Sequence, residues 1–184
     1  MNFTQGFKAV VESLQREQVD FALIGGLALG VAGVARATMD IDFLVLRDDV
    51  LKVKRIMQSL GYALLHEGDE VAHFIHQNAS QGRVDFLYAH RRYAREMLGR
   101  AREEPVLGGL QRLKVLGVED QIGLKVQSSA NNSSRYHQDM ADIEALIRAH
   151  RTGLDLERIK RYFELFDRGE EFERLRQRAA SDVQ

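Results

Sequence analysis

The chain has 184 residues, and its 26 Lys and Arg against 27 Asp and Glu leave a formal net charge of −1. With 45% hydrophobic and 29% charged residues, the composition is that of a folded globular protein, which excludes intrinsic disorder and a strongly basic chain. The absence of cysteine excludes disulfides, thiolate zinc sites and a cysteine nucleophile. No apolar run approaches the roughly 18 residues of a membrane span, and the polar N-terminus lacks a signal-peptide core, so a cytoplasmic protein without a membrane partner is expected.

The first part of the chain alternates between helical and strand patterns. Apolar residues from Phe3 to Leu14 recur at helical spacing, which predicts an amphipathic helix. Short apolar runs bounded by glycine or charged residues predict buried strands. The elements expected next are a strand over 21–24, a turn at Gly25-Gly26, a helix over 27–31, a strand over 41–46 and a helix over 49–60.

Strand patterns continue to residue 115, and only helical patterns follow them. Three short strands over 62–65, 71–77 and 83–88 are followed by a helix over 91–102 and by a strand or hairpin within 106–115. From residue 119 onward only helical spacing remains, over 119–129, 138–150, 156–166 and 171–180. Mixed strands and helices followed by helices alone predict an α/β or α+β core over residues 1–116 and a helical bundle over 117–184 packed on it.

A pair of aspartates on a strand carries the clearest chemical signal. Residues two apart on a strand point to the same face, so Asp40 and Asp42 are expected to project together while Ile41 and Phe43 face the other way. Adjacent carboxylates repel each other, and a divalent cation would neutralise them. Because the ligands are oxygen only, the expected cation is Mg²⁺ or Mn²⁺ rather than zinc.

Further residues strengthen this prediction through their order along the chain. Asp85 stands between apolar neighbours on a later strand, and Gly25-Gly26 follows a strand where backbone N–H groups can hold phosphate. Each feature alone has a plainer interpretation: a turn for the glycines, a solvated strand face or a cap for the aspartate pair, and a buried arginine partner for Asp85. The combination, with Arg36 and Thr38 just before the aspartate pair, favours a functional site.

The pattern Gly25-Gly26, then Arg36-x-Thr38-x-Asp40-x-Asp42, then Asp85 resembles the nucleotidyltransferase superfamily typified by DNA polymerase β, over about residues 21–88. The resemblance implies a mixed β-sheet flanked by helices. It further implies that the three aspartates hold two Mg²⁺ (or Mn²⁺) ions and that Asp85, on the acceptor side, assists deprotonation. The nucleotide-binding residues it implies here are Gly25, Gly26, Arg36 and Thr38.

A later segment is similar to a narrower group, the abortive-infection AbiEii-type and related bacterial minimal nucleotidyltransferases. The similarity is carried by Lys125 and by the stretch Arg135-x-x-x-Asp139-x-x-Asp142. In that family the lysine contacts the nucleotide phosphates and an acidic residue near the Asp139 position supports the active site. The plainer alternative is that Lys125 snorkels from an amphipathic helix and that the two aspartates belong to one polar helix face.

The resulting hypothesis is an enzyme that moves a nucleoside monophosphate from an NTP onto a hydroxyl acceptor and releases pyrophosphate. The acceptor could be a tRNA 3′ end, a protein side chain or a small molecule such as an aminoglycoside or lincosamide. The AbiEii likeness adds a possible toxin role with an antitoxin protein as partner. Two alternatives stay open: a non-catalytic nucleotide-binding or protein-interaction module on the same fold, and a metal-dependent phosphohydrolase.

The histidines and a cluster of arginines carry weaker signals. His73 and His76 lie three apart on a predicted strand and should face opposite ways, so a shared zinc ion is not expected. Five arginines between residues 91 and 102 favour either a solvated helix face or contact with an RNA acceptor.

Overall fold

A computed structural model of the chain describes residues 2–181, so Met1 and the last three residues of the predicted helical region lie outside the described part. The chain divides into two compact units. The first comprises the residues up to 31 together with 36–116, and the second comprises 32–35 together with the residues from 117 onward. Over residues 2–181 no helix combines the length and the apolar character that a membrane crossing requires.

The first unit is built on a seven-stranded mixed sheet. Its strands are β1 (Phe21–Ile24), β2 (Asp40–Leu46), β3 (Tyr62–Glu67), β4 (Val71–His76), β5 (Arg83–Ala89), β6 (Arg102–Val106) and β7 (Gln111–Val115). They lie in the order β3-β4-β5-β2-β1-β7-β6. The pairs β2–β5 and β1–β7 are parallel and the others antiparallel, which confirms the mixed sheet.

Within the described residues of this unit, four α-helices accompany the sheet: α1 (Phe3–Arg16), α2 (Gly25–Val31), α3 (Val50–Ser59) and α4 (Arg92–Arg100). The apolar face of α1 enters the core, where the rings of Phe7 and Phe43 lie 6.4 Å apart and those of Phe43 and Phe86 lie 5.7 Å apart. Ile41 and Val84 join the same core cluster. Because strand side chains alternate, the residues between these apolar positions on β2 and β5 are directed to the opposite face of the sheet.

The second unit contains four α-helices in its described part: α5 (Val118–Asn131), α6 (Tyr136–Ala149), α7 (Leu156–Glu164) and α8 (Gly169–Ser181). Arg168, between α7 and α8, connects three of them. Its guanidinium donates to Ser129 Oγ at 2.5 Å and lies over the rings of Tyr136 and Phe163, 5.2 and 5.7 Å from their centroids. These helices confirm the helical pattern predicted for the last third of the chain.

The observed elements differ from the predicted ones in two places. Helix α2 begins at Gly25 itself, so the glycine pair opens the helix and is not a separate turn. The helix predicted through residue 102 ends at Arg100, because Arg102–Val106 forms edge strand β6 and includes Pro105. An edge strand tolerates proline and, when both its faces are exposed, shows no hydrophobic alternation, which is why the sequence pattern missed it.

Candidate active site

The three predicted carboxylates lie on two neighbouring parallel strands of the first unit. Asp42 of β2 and Asp85 of β5 are direct register partners, and Asp40 is the register partner of Arg83. Register partners on parallel strands share a face of the sheet, which is here the face opposite to the Phe43 and Phe86 core. The sheet therefore brings Asp40, Asp42 and Asp85 together, as the alternation pattern predicts if the two strands are neighbours.

The glycine pair is shaped by the side chains of the aspartate motif. A Cβ atom built on Gly25 would lie 2.6 Å from Asp42 Cγ, and one built on Gly26 would lie 2.8 Å from Thr38 Cγ2. Gly25 also has a φ of +65°, a left-handed conformation that other residues adopt only at a cost. Both glycines are thus needed so that the start of α2 can approach β2 closely.

The residues just before β2 have distinct roles. The Thr38 hydroxyl accepts a hydrogen bond from the Asp40 backbone N–H at 3.1 Å, which fixes the entry to the strand. Arg36 lies half-buried in the irregular segment that leads to the same strand. Thr38 therefore positions the carboxylate pair from the backbone side, whatever further contact it makes with a nucleotide.

Sequence reasoning missed two residues that contact the carboxylates. A single nitrogen of Arg83, Nη2, lies 3.2 Å from Asp40 Oδ2 and 3.0 Å from Asp85 Oδ2. His73 of β4, the register partner of Asp85, places Nδ1 2.9 Å from Asp85 Oδ1. The signal for Arg83 was its i, i+2 spacing to Asp85, whereas His73 could be found only from the register of β4 on β5.

Asp85 Oδ1, the carboxylate oxygen beside His73, forms no hydrogen bond with the imidazole. His73 Nδ1 and Asp85 Oδ1 form an ion-pair contact at 2.9 Å, and neither atom has a hydrogen-bond partner among the described residues. Asp85 is only 8% exposed. The pairing of this buried carboxylate oxygen therefore depends on whether His73 Nδ1 carries the proton, and a bound cation could take the place of that proton.

Within residues 2–181 no three acidic or histidine side chains form a ready-made metal cage, and the guanidinium of Arg83 contacts both Asp40 and Asp85. The donor set nevertheless fits a hard divalent cation. It consists of carboxylate oxygens from three side chains on one sheet face, and one of these oxygens lacks a hydrogen-bond donor. The residues present could therefore hold Mg²⁺ or Mn²⁺.

The two histidines of β4 lie as predicted, and the arginine cluster includes a residue on an exposed helix face. The His76 ring packs on buried Tyr62 at 5.0 Å, whereas His73 faces Asp85, so these two histidines do lie on opposite faces of β4. On α4, Arg92 is paired with Glu96 at 2.8 Å. This ion pair is typical of a solvated helix face.

The later predicted residues form a buried cluster within the second unit. Lys125 Nζ lies 2.5 Å from Asp142 Oδ2 and 3.3 Å from Asp139 Oδ1, and all three residues are buried. Arg135 reaches Asp139 from the surface at 3.4 Å, and Gln138 donates to Asp142 at 3.1 Å. The structure thus joins α5 to α6 through these residues, while their role at a nucleotide stays a prediction.

Replacing Gly25 by alanine is expected to lower the free energy of unfolding by about 2–4 kcal/mol, from the left-handed φ and from the overlap with Asp42. Gly108 is the matched control, because its φ is +68° and nothing lies within 4 Å of an added Cβ. Gly108→Ala should cost only about 1–2 kcal/mol. Urea unfolding measures both values, and equal losses would contradict the packing of Gly25 against Asp42.

The comparisons with known proteins agree with this geometry. The chain matches the family described as "nucleotidyl transferase of unknown function (DUF2204)" over residues 3–181. No curated protein matches it by sequence.

Several solved structures share its fold. The antibiotic-resistance factor ANT(2″)-Ia is 12% identical with a TM-score of 0.66, and the match covers 97% of each chain. The lincosamide antibiotic adenylyltransferase LnuA, solved with lincomycin, is 15% identical with a TM-score of 0.54, over 77% of this chain and 94% of its own. An antigenic nucleotidyltransferase-like protein from Paracoccidioides brasiliensis is 16% identical with a TM-score of 0.51, over 77% and 74%. At these identities the likeness establishes the fold, and the family match over nearly the whole chain shows that the protein belongs to the nucleotidyltransferase family.

Proposed function

We propose that this protein is a metal-dependent nucleotidyltransferase that moves a nucleoside monophosphate from an NTP to the hydroxyl group of an acceptor. The observation that carries the proposal is the in-register pair Asp42 and Asp85, with Asp40 on the same sheet face and Gly25 against Asp42. Carboxylates directly opposite each other destabilise a sheet, and a bound cation would offset that repulsion.

Each part of the array has a task in this reaction. Asp40, Asp42 and Asp85 would hold Mg²⁺ or Mn²⁺, which supplies charge neutralisation at the phosphates and a lowered pKa of the acceptor hydroxyl. Gly25, Gly26, Arg36 and Thr38 would lie at the nucleotide.

The bond changes balance without a covalent enzyme intermediate. The acceptor oxygen forms a bond to the α-phosphorus as the bond from that phosphorus to the pyrophosphate oxygen breaks. The proton of the acceptor hydroxyl passes to a carboxylate oxygen of Asp85, which is buried and has an oxygen without a hydrogen-bond donor. Positioning and electrostatics provide most of the rate in such transfers, so no nucleophilic side chain is needed.

We further propose that the acceptor is a small molecule with free hydroxyl groups and that ATP is the first donor to test. This choice is supported by the two antibiotic-modifying proteins among the solved structures, one of which is named an adenylyltransferase. RNA and a protein side chain are alternative acceptors that the experiment can detect.

The test incubates the purified protein with α-labelled ATP, CTP, GTP and UTP in turn, Mg²⁺, and either a panel of aminoglycosides and lincosamides or a cell extract. Products are separated into small-molecule, RNA and protein fractions, and pyrophosphate release is measured. Asp85→Asn is the negative control. Asp69→Asn is the matched control in the same unit, because the Asp69 side chain is 99% exposed.

The expected result is label on a small molecule with equal pyrophosphate release. This transfer should be lost in Asp85→Asn and kept in Asp69→Asn. Label on RNA or protein would assign a macromolecular acceptor and strengthen the toxin hypothesis. Release of phosphate instead of pyrophosphate would indicate a phosphohydrolase. Nucleotide binding without any transfer would indicate a non-catalytic module.

A further inference from the structure

One guanidinium nitrogen occupies the position between two carboxylates where a cation would be held. Arg83 Nη2 is within 3.2 Å of Asp40 and within 3.0 Å of Asp85. The arrangement arises from the sheet itself: Arg83 stands opposite Asp40 in the register and two residues before Asp85, so all three side chains share one face. The positive charge of Arg83 thus offsets part of the repulsion among the three aspartates.

The guanidinium is held loosely for such a central position. Only one nitrogen bridges the two carboxylates, so these contacts lack the bidentate geometry that makes arginine–carboxylate bonds strong. Its buried Nε has no hydrogen-bond partner among the described residues. The side chain is also 41% exposed and has a path to solvent. Arg83 can therefore leave the carboxylates without breaking a packed core.

We propose that Arg83 is a competing internal cation: it neutralises Asp40 and Asp85 in the free protein, weakens binding of a free divalent ion, and turns to the nucleotide phosphates when the nucleotide and metal enter together. This inference rests on the proposed function. A divalent ion and the guanidinium cannot both sit within bonding distance of the same oxygens without strong repulsion. A triphosphate offers the displaced guanidinium an anionic partner of the kind arginine prefers.

The experiment measures Mn²⁺ binding directly, without turnover. Free aqueous Mn²⁺ is quantified by electron paramagnetic resonance while the nucleotide-free protein is titrated. Arg83→Gln is expected to lower the Kd for Mn²⁺ by at least about tenfold, because a unit positive charge about 4 Å from the ion is removed. Arg83→Met, which keeps the aliphatic stem, is a second neutral variant and should behave in the same way.

Two control variants separate charge from structure. Arg83→Lys keeps the positive charge and is expected to bind Mn²⁺ close to the wild-type affinity. Arg92→Gln changes the net charge equally, but Arg92 is 93% exposed on α4 and paired with Glu96, so its Kd should not move. Circular dichroism confirms the fold of each variant.

A second titration includes the non-transferable analogue α,β-methylene-ATP. With the analogue bound, the difference in Mn²⁺ affinity between the wild type and Arg83→Gln should shrink or reverse, since Arg83 then serves the phosphates. A difference that persists unchanged would overturn the coupling to nucleotide.

Asp42→Asn distinguishes failure of this inference from failure of the proposed function. If Asp42→Asn weakens Mn²⁺ binding while neither neutral variant of Arg83 tightens it, the metal site stands and the competing role of Arg83 is overturned. If Asp42→Asn leaves the Mn²⁺ affinity unchanged, the carboxylates do not bind the metal, and both proposals fail. Tightening in both neutral variants but not in Arg83→Lys supports the inference.

Discussion

Asp42→Asn is expected to lower the turnover of nucleotidyl transfer by at least about a thousandfold, because Asp42 is central to the carboxylate array that binds the metal. The fold should survive. Asp42 faces Asp85 directly in the register, so removal of one negative charge relieves repulsion at the site. The measurement is the initial rate with saturating labelled NTP and an acceptor found in the labelling experiment, together with urea unfolding of the same preparations.

The pairing of lost turnover with kept stability is what makes this prediction specific. Asp69→Asn, at an exposed position, is expected to leave both quantities unchanged. If Asp42→Asn retained more than a tenth of the turnover, Asp42 would not be a metal ligand in the reaction. If turnover and stability fell together, Asp42 would be a structural residue and the lost rate would carry no information on catalysis.

Lys125→Met is expected to lower the free energy of unfolding by about 3–5 kcal/mol, because it leaves two buried carboxylates without their shared cation. Asp139 is fully buried and Asp142 is 6% exposed, so water cannot replace the ammonium group easily. Arg135 remains near Asp139, and Asp142 still accepts a hydrogen bond from the neutral amide of Gln138. Urea unfolding followed by helical circular dichroism gives the value.

The double variant Lys125→Met with Asp142→Asn tests the stated cause. It removes one positive and one negative charge and leaves Asp139 with Arg135 as its counter-ion, so a large part of the lost stability should return. No recovery would show that the loss comes from packing of the methylene stem rather than from the unpaired charge. A loss below about 1 kcal/mol in Lys125→Met alone would mean that the cluster is hydrated, contrary to its burial.

The buried cluster also bears on the predicted nucleotide contact of Lys125. A lysine whose ammonium group is already bound by two aspartates stabilises the contact between α5 and α6 in the structure as it stands. Both interpretations predict that substitution of Lys125 is harmful, but a different quantity changes in each. The structural role predicts a lower free energy of unfolding. The predicted nucleotide contact instead predicts a weaker nucleotide affinity of the folded protein.

Local patterns were sufficient for much of this protein. The strand bearing Asp40 and Asp42 and its opposing apolar face follow from period-two alternation, since that period is a property of the chain itself. The glycine pair was predicted to lie beside the site, but the requirement for glycine there comes from the tertiary structure. Gly25 and Gly26 make room for Asp42 and Thr38, which are distant from them along the chain.

Strand β6 shows where a local pattern fails. The segment from Arg102 to Pro105 is exposed on the sheet edge, so burial imposes no alternation on it and the charged residues extend the apparent helix.

Periodicity and residues close together in the chain were enough to predict the fold class, the helices that follow the sheet and the three aspartates as candidate site residues. Three features required the folded chain: Asp42 stands opposite Asp85, Arg83 bridges Asp40 and Asp85, and His73 adjoins Asp85. These contacts depend on strand register. Register is set by packing between segments about forty residues apart, such as Asp40 and Arg83, and local patterns contain no information about which residues such segments will align.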